Sequence, residues 1–257
     1  MKVVLFCGGQ GLRLREYSEA LPKPMVPIGH RPIVWHLMKY YAHYGHRDFI
    51  LCLGHKSEVV KSYFRNYDET VSNDFVLRDG GRSVQLLNAD IQSWTITFVN
   101  TGLHANIGQR LRAVREHLRG EPWFLANYSD GLSDVPLPAL IKYFQEKDKI
   151  AGFMSVRPPQ TFHVVRTTDG GRVTSLLPVT EADLWVNGGY FCLKQEIFDY
   201  LDEGDELVVE TFQKLIQKDQ LVTYRNPGFF ACMDTFKEYQ MLGDLSARGQ
   251  APWEVWR

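Results

Sequence analysis

Val3-Val4-Leu5-Phe6-Cys7-Gly8-Gly9-Gln10-Gly11-Leu12-Arg13-Leu14, followed shortly by Pro22-Lys23-Pro24-Met25, is the stretch on which the reading of this chain turns. An apolar run enters a glycine loop that ends in a cation. A buried strand delivers backbone amides and positive charge to a phosphate in this way. The loop is therefore expected to hold a nucleoside triphosphate.

Two commoner uses of such a loop fit poorly. The dinucleotide fingerprint needs a third glycine where Leu14 stands, and the phosphate loop of nucleoside triphosphatases needs Gly-Lys-Ser/Thr, which is absent. What remains is Gly-Gly-x-Gly-x-Arg-Leu with a Pro-Lys-Pro behind it. The plainer alternative is a tight turn with Arg13 solvated and Lys23 inert in a proline-rich loop.

Outward from the loop, Pro32 to Tyr44 carries apolar residues at helical spacing, Phe49 to Leu53 repeats the buried-strand pattern, and Lys56 to Tyr67 reads as a second helix. Strand, helix, strand, helix opens a doubly wound α/β sheet. Short strands are expected at 75–78, 84–87 and 95–99, the first two joined by a turn at Asp79-Gly80-Gly81-Arg82. A helix over 109–118 and a buried strand over 123–126 follow. That strand stops at Asn127-Tyr128-Ser129-Asp130-Gly131, where parallel sheets place their ligands. Beyond a helix at 137–144 the texture changes to strands and turns, with one strand expected over 186–193, closing strands at 221–224 and 229–233, and a last helix over 235–245. The expectation is one domain over 1–257, its nucleotide-binding half at 1–150 and an α+β acceptor-binding half at 151–257.

A length of 257 residues supports a large core, and 44% apolar with 23% charged residues is ordinary globular composition. A formal net charge of -1 gives no electrostatic reason for nucleic-acid or membrane-surface binding. Cys7, Cys52, Cys192 and Cys232 lie in or beside apolar runs without CxxC spacing, which fits free thiols better than disulfides or zinc. No apolar run approaches bilayer length, and Met1-Lys2 leads straight into a strand, so a cytoplasmic protein is expected. The eight histidines form no ligand spacing and read as packed or surface imidazoles.

Attack on a triphosphate needs fixed cations, because charge grows and shifts on the pentavalent phosphorus and the leaving pyrophosphate. Arg13 and Lys23 are the candidates. Asp130 and Asp234 each follow an apolar strand and suit Mg2+ as a pair of hard carboxylates. The alternative is that Asp130 caps a turn and Asp234 caps the last helix.

The loop and Pro-Lys-Pro, with Pro32-Ile33-Val34-Trp35-His36-Leu37-Met38, Gly108-Gln109-Arg110-Leu111, Tyr128-Ser129-Asp130-Gly131, Asn187-Gly188-Gly189-Tyr190-Phe191 and Met233-Asp234-Thr235, resemble the sugar-1-phosphate nucleotidyltransferases, and most of all their glucose-1-phosphate cytidylyltransferase branch. The resemblance implies the nucleotide-diphospho-sugar transferase fold and attack of an acceptor phosphate on the α-phosphorus of CTP. It implies Arg13 and Lys23 as catalytic cations, and Asp130 and Asp234 as Mg2+ ligands. Nucleotide binding would fall to Gly8, Gly9, Gly11, Thr101, Gly102, Arg110 and Asp130; acceptor binding is expected of Tyr128, Asn187 and Gly188, with His163 and Lys194 joining them as this chain's own cations. A homo-oligomer is also implied, with the aromatic tail from Trp253 to Trp256 between subunits.

The chain departs from the family pattern in places. Leu12 replaces a threonine and Ser129 a glycine. Leu176-Leu177-Pro178-Val179 stands where the family carries Glu-Lys-Pro, whose lysine grips the sugar phosphate, and Thr161-Phe162-His163 stands where it has Arg-Phe-Gly. The nucleotide half is kept while the acceptor half is altered, so another nucleoside triphosphate, a cyclitol phosphate, a phosphonate acceptor or a non-catalytic nucleotide-binding scaffold are the alternatives. His163, Arg157, Arg166 and Lys194 are the candidates for the missing cation.

Overall fold

A computed structural model of the chain describes residues 1–9, 21–158 and 162–257. In chain order the strands are β1 (Val3–Phe6), the short pair β2 (Pro27–Ile28) and β3 (Arg31–Pro32), β4 (Asp48–Leu53), the hairpin β5 (Phe75–Arg78) and β6 (Ser83–Leu86), β7 (Thr95–Asn100), β8 (Trp123–Tyr128), β9 (Gly131–Ser133), β10 (Ala151–Val156), the hairpin β11 (His163–Thr167) and β12 (Val173–Pro178), β13 (Val186–Asn187), β14 (Phe191–Lys194), β15 (Leu221–Asn226) and β16 (Phe230–Cys232). The main sheet runs β13-β10-β14-β8-β1-β4-β7, with β15 also pairing with β10.

β1 is an inside strand, pairing in parallel with β4 on one side and β8 on the other, and all four of its residues are buried. Its side chains alternate between the two faces: Val3 and Leu5 join one apolar core, Val4 and Phe6 the other. The helix Ile33–His43 covers the first face, and the helices Ile107–Ala113 and Phe212–Gln217 cover the second. This is the expected doubly wound arrangement, made mixed by β14, which runs antiparallel to both β8 and β10. The chain leaves β1 to one side for β4 and lies on the other side as β8. The crevice beyond the ends of β1 and β8 is therefore the switch point of the sheet.

Three expectations need correction. The strand over 186–193 is broken into β13 and β14, both on β10, because Gly189 (φ 76°) and Tyr190 (φ 50°) turn the backbone into the left-handed region. A Cβ on Gly189 would overlap the Asn127 side-chain oxygen, which accepts from the Tyr190 amide at 3.0 Å. The helix expected from Gln109 begins at Ile107, because Asn106 and Gln109 form a reciprocal capping box. Trp253 is fully buried within the chain, its Nε1 donating to His36 Nδ1 at 3.3 Å, so it is not available to a neighbouring subunit. All four cysteines are free, and among the described residues no helix is long and apolar enough to cross a membrane.

Candidate active site

The switch point collects the ends of several elements. Past β1, the Cys7 amide donates to Cys52 O at 2.9 Å, and past β8, Ser129 Oγ donates to Phe6 O at 2.8 Å, so both loops leave the sheet tied to their neighbours. Burial pushes the Cys7 thiol up to about 12, which leaves it a neutral packing residue beneath the glycine loop.

Arg110 is the hub of this end. It is 3% exposed, and its guanidinium donates to Leu53 O, Thr101 Oγ1, Gly102 O, Gly8 O and Leu103 O at 2.7–3.4 Å. Thr101 Oγ1 in turn donates to Leu53 O at 2.9 Å. The end of β4 and the loops that follow β1 and β7 are thereby held on one planar fork of donors. Arg110 borders the cleft, but these contacts make it the strut of the glycine loop and the 101–103 loop. Gly54, which no motif marks, is needed for the same junction: a Cβ there would lie 2.7 Å from Gly8 O and 2.8 Å from Gly102 O.

Lys23 starts a 3-10 turn, Lys23–Met25, between Pro22 and the buried Pro24. Its Nζ donates to Asp130 Oδ2 and Asp234 Oδ1, both at 2.5 Å. Burial alone would weaken the ammonium, but the charge of Asp130 and the bonds to both carboxylates outweigh it, and its pKa is held above the usual lysine value. The two aspartates, distant in sequence, meet because β16 pairs antiparallel with β9, setting Cys232 opposite Gly131, with the Met233 amide donating to Asp130 O at 2.9 Å. The helix Phe236–Ala247 is capped by Thr235 in a box with Glu238, so the Asp234 carboxylate is not its cap. Glu238 Oε2 also accepts from the Asp234 amide at 2.8 Å and fixes that backbone.

Two clefts meet on this pair. One, of about 470 Å3, runs from Gly9 and Lys23 past Asn106, Ile107 and Arg110 to Tyr128, Asp130 and Asp234. The other, of about 310 Å3, is lined by Asp130, Asp234, Cys232, Tyr128, Asn187 and Gly188. Asn187 Nδ2 donates to the Tyr128 hydroxyl at 3.4 Å, while its Oδ1 accepts from the Gly189 amide at 2.8 Å. Burial pushes the Tyr128 hydroxyl up to about 12, so it enters the site as a neutral donor or acceptor. Two carboxylates sharing one half-buried cation fit a divalent ion such as Mg2+: the Lys23 ammonium already marks the point both can reach.

Of the residues expected in the site, Gly8, Gly9, Lys23, Thr101, Gly102, Arg110, Tyr128, Asp130, Asn187, Gly188 and Asp234 gather at this end of the sheet. Gly11 and Arg13 lie outside the described residues. His163 is exposed on the separate β11–β12 hairpin, opposite Pro178, and borders neither cleft. Lys194 is not brought to the site. It pairs with Trp123 at the entering end of β8, its Nζ 2.6 Å from Asp148 Oδ1 and over the Trp123 ring, because β14 runs antiparallel and carries Lys194 to the opposite edge. Arg157 donates to Thr180 O and Ala182 O at 3.1 Å, and the exposed Arg166 lies on β11. Cys232, Glu206 and Glu238 border the clefts without any sequence signal. Nothing but the β9–β16 pairing marks Cys232, two residues before Asp234.

Residues 2–237 match the profile of the nucleotidyl transferase family. The chain belongs to this family. Among relatives of this nucleotidyltransferase, a Bacillus subtilis protein named "Probable glucose-1-phosphate cytidylyltransferase" is 36% identical, and the glucose-1-phosphate cytidylyltransferase of Salmonella typhi is 34% identical, each over all of both chains. A solved UDP-glucose pyrophosphorylase, complexed with UDP-glucose, superposes with a TM-score of 0.69 at 14% identity, covering 96% of this chain and 98% of its own. That last likeness establishes the nucleotide-diphospho-sugar transferase fold of the nucleotidyltransferase.

Proposed function

We propose that the protein is a Mg2+-dependent cytidylyltransferase that joins CTP to a sugar 1-phosphate, giving a CDP-sugar and pyrophosphate. The observation that carries this reading is the meeting of two clefts on Asp130, Asp234 and Lys23. Full-length likeness to glucose-1-phosphate cytidylyltransferases supports CTP as the nucleotide.

In this reading the larger cleft takes CTP, its triphosphate over Gly8 and Gly9, and the smaller takes the acceptor beside Tyr128, Asn187 and Gly188. An acceptor phosphate oxygen forms a bond to the α-phosphorus, the bond from that phosphorus to the bridging oxygen breaks, and pyrophosphate leaves. The nucleophile is already an anion, so no side chain need remove a proton. Catalysis rests on alignment and on charge stabilisation. Asp130 and Asp234 would hold Mg2+, which supplies charge neutralisation and a template for phosphate oxygens. With the carboxylates engaged, Lys23 turns its ammonium to the phosphates, and the expected role of Arg13 is the second cation. The unpaired thiols fit a reducing cytoplasm.

Release of pyrophosphate by the purified protein with Mg2+, across four nucleoside triphosphates and a panel of phosphorylated acceptors, tests this. Turnover needing CTP and a sugar 1-phosphate is expected. Absence of pyrophosphate from every pair would make the protein a nucleotide-binding scaffold instead.

A second reading, in which the acceptor is not glucose 1-phosphate, is favoured by Leu176 to Val179 standing where the family has its phosphate-gripping lysine. A kcat/KM for a cyclitol phosphate, a phosphonate or another sugar phosphate well above that for glucose 1-phosphate would establish it; ordinary turnover of glucose 1-phosphate would remove it.

A further inference from the structure

The carboxylate pair has a third neighbour of different chemistry. Cys232 Sγ and one carboxylate oxygen each from Asp130 and Asp234 all lie within 4.8 Å of one another. The backbone explains it: Cys232 ends β16 opposite Gly131, Met233 turns inward to full burial, and Cys232 and Asp234 present their side chains to the same cleft. A cation already occupies the shared point, since Lys23 Nζ bridges both carboxylates.

Mg2+ chemistry calls for oxygen donors alone, and a sulfur at that distance adds nothing to it. Sulfur with two carboxylate oxygens is instead a donor set for zinc, cobalt or cadmium, ions that bind thiolate strongly. Bonds of about 2.3 Å to sulfur and about 2.0–2.2 Å to oxygen set the ligand atoms of one ion roughly 3.5–4.5 Å apart, so small side-chain rotations suffice.

We propose that Cys232 is a metal-selecting residue of this site: together with Asp130 and Asp234 it binds a thiophilic divalent cation, in competition with the Mg2+ of the transfer reaction. As the sulfur–metal bond forms, the thiol S–H bond breaks and its proton leaves to solvent. The Lys23 ammonium moves off the carboxylates into the nucleotide cleft. The inference rests on the reading of Asp130 and Asp234 as the cation site, and its test needs no turnover.

The test is titration of the full chain with Co2+ alone, followed by the sulfur-to-cobalt charge-transfer band in the near ultraviolet. The wild type should show the band, Zn2+ or Cd2+ should abolish it, and Cys232→Ser and Asp234→Asn should each lack it. Cys232→Ser should weaken Zn2+ by at least the roughly tenfold that even an outer-shell partner is worth, and leave Mg2+ affinity little changed. A wild type without the band, or a band that survives either substitution, overturns the proposal. If Cys232→Ser does not fold, alkylation of the wild type decides: Cd2+ should shield Cys232 and Mg2+ should not, and equal labelling with and without Cd2+ overturns it. Pyrophosphate release with Mg2+ and no cobalt band would sink this inference alone. A cobalt band without pyrophosphate release would sink the transferase reading alone.

Discussion

Gly8 and Arg110 share one volume: a Cβ added at Gly8 would overlap the Arg110 guanidinium, whose Nη2 donates to Gly8 O at 3.1 Å. The glycine is there to let an arginine pass, as much as to let a phosphate approach. Gly8→Ala should therefore cost about 1–3 kcal/mol by overpacking and cut kcat/KM sharply. Gly54→Ala should behave alike, although no phosphate motif includes it. Gly9→Ala, where an added Cβ meets nothing within 4 Å among the described residues, should fold normally. Thermal unfolding of the three variants checks this, and equal stability of Gly8→Ala and Gly9→Ala would refute it.

Arg110→Ala strips a buried fork from carbonyls of Leu53, Gly102 and Gly8. Each buried acceptor left unsatisfied costs about 1–3 kcal/mol, so the loops should loosen and KM for the nucleotide should rise more than kcat falls. Arg110→Lys should not rescue, since one ammonium cannot reproduce a planar fork. Steady-state kinetics beside urea unfolding would reveal either failure.

Asp130→Asn and Asp234→Asn should each lower turnover by roughly 10²–10³-fold, the scale of losing one fixed charge from a transition-state site. Isothermal titration should show weaker Mg2+ binding in both. Full activity in either variant would remove that carboxylate from the metal site.

Lys23→Met leaves Asp130 and Asp234 facing each other without their shared cation. The metal-free variant should be less stable than the wild type, and added Mg2+ should raise its melting temperature more than it raises that of the wild type. Mg2+ should also bind it more tightly, since no ammonium has to be displaced, while turnover falls. Identical Mg2+ affinities would show that Lys23 does not compete for the site.

His36 ties the chain's end to the helix Ile33–His43. Its Nε2 donates to Ile28 O at 3.0 Å and its Nδ1 accepts from Trp253, so the ring is neutral, and Glu254 Oε1 at 3.9 Å makes no ion pair with it. Burial, with Arg257 and Arg31 nearby, lowers its pKa to about 4 from 6.5. The unfolded chain binds this proton first on acidification, so the contribution is complete above pH 6.5 and is lost as the pH falls toward 4. That loss is roughly 3 kcal/mol at about 1.4 kcal/mol per unit. His36→Gln should flatten the stability profile between pH 6.5 and 4 relative to wild type; parallel profiles would contradict it.

The sequence by itself determined most of the strands of the main sheet and the end of it at which the proposed site lies. Runs such as Val3–Phe6, Asp48–Leu53 and Trp123–Tyr128 are buried on both faces and admit few other structures, and a glycine loop with its lysine is a local signal. It also indicated Asp130 and Asp234, because each follows a strand. Only the tertiary structure decided that they meet, since their approach depends on the β9–β16 pairing between segments nearly a hundred residues apart. The same holds for Lys194, whose charge suited an acceptor site but whose strand runs antiparallel and carries it to the far edge. Gly54 and Cys232 were silent in the sequence, because what they do depends on the volume and chemistry of side chains brought to them from elsewhere. Local pattern records which residues form strands and turns, while the functional neighbours of a side chain are set by pairings that leave no trace in its own vicinity.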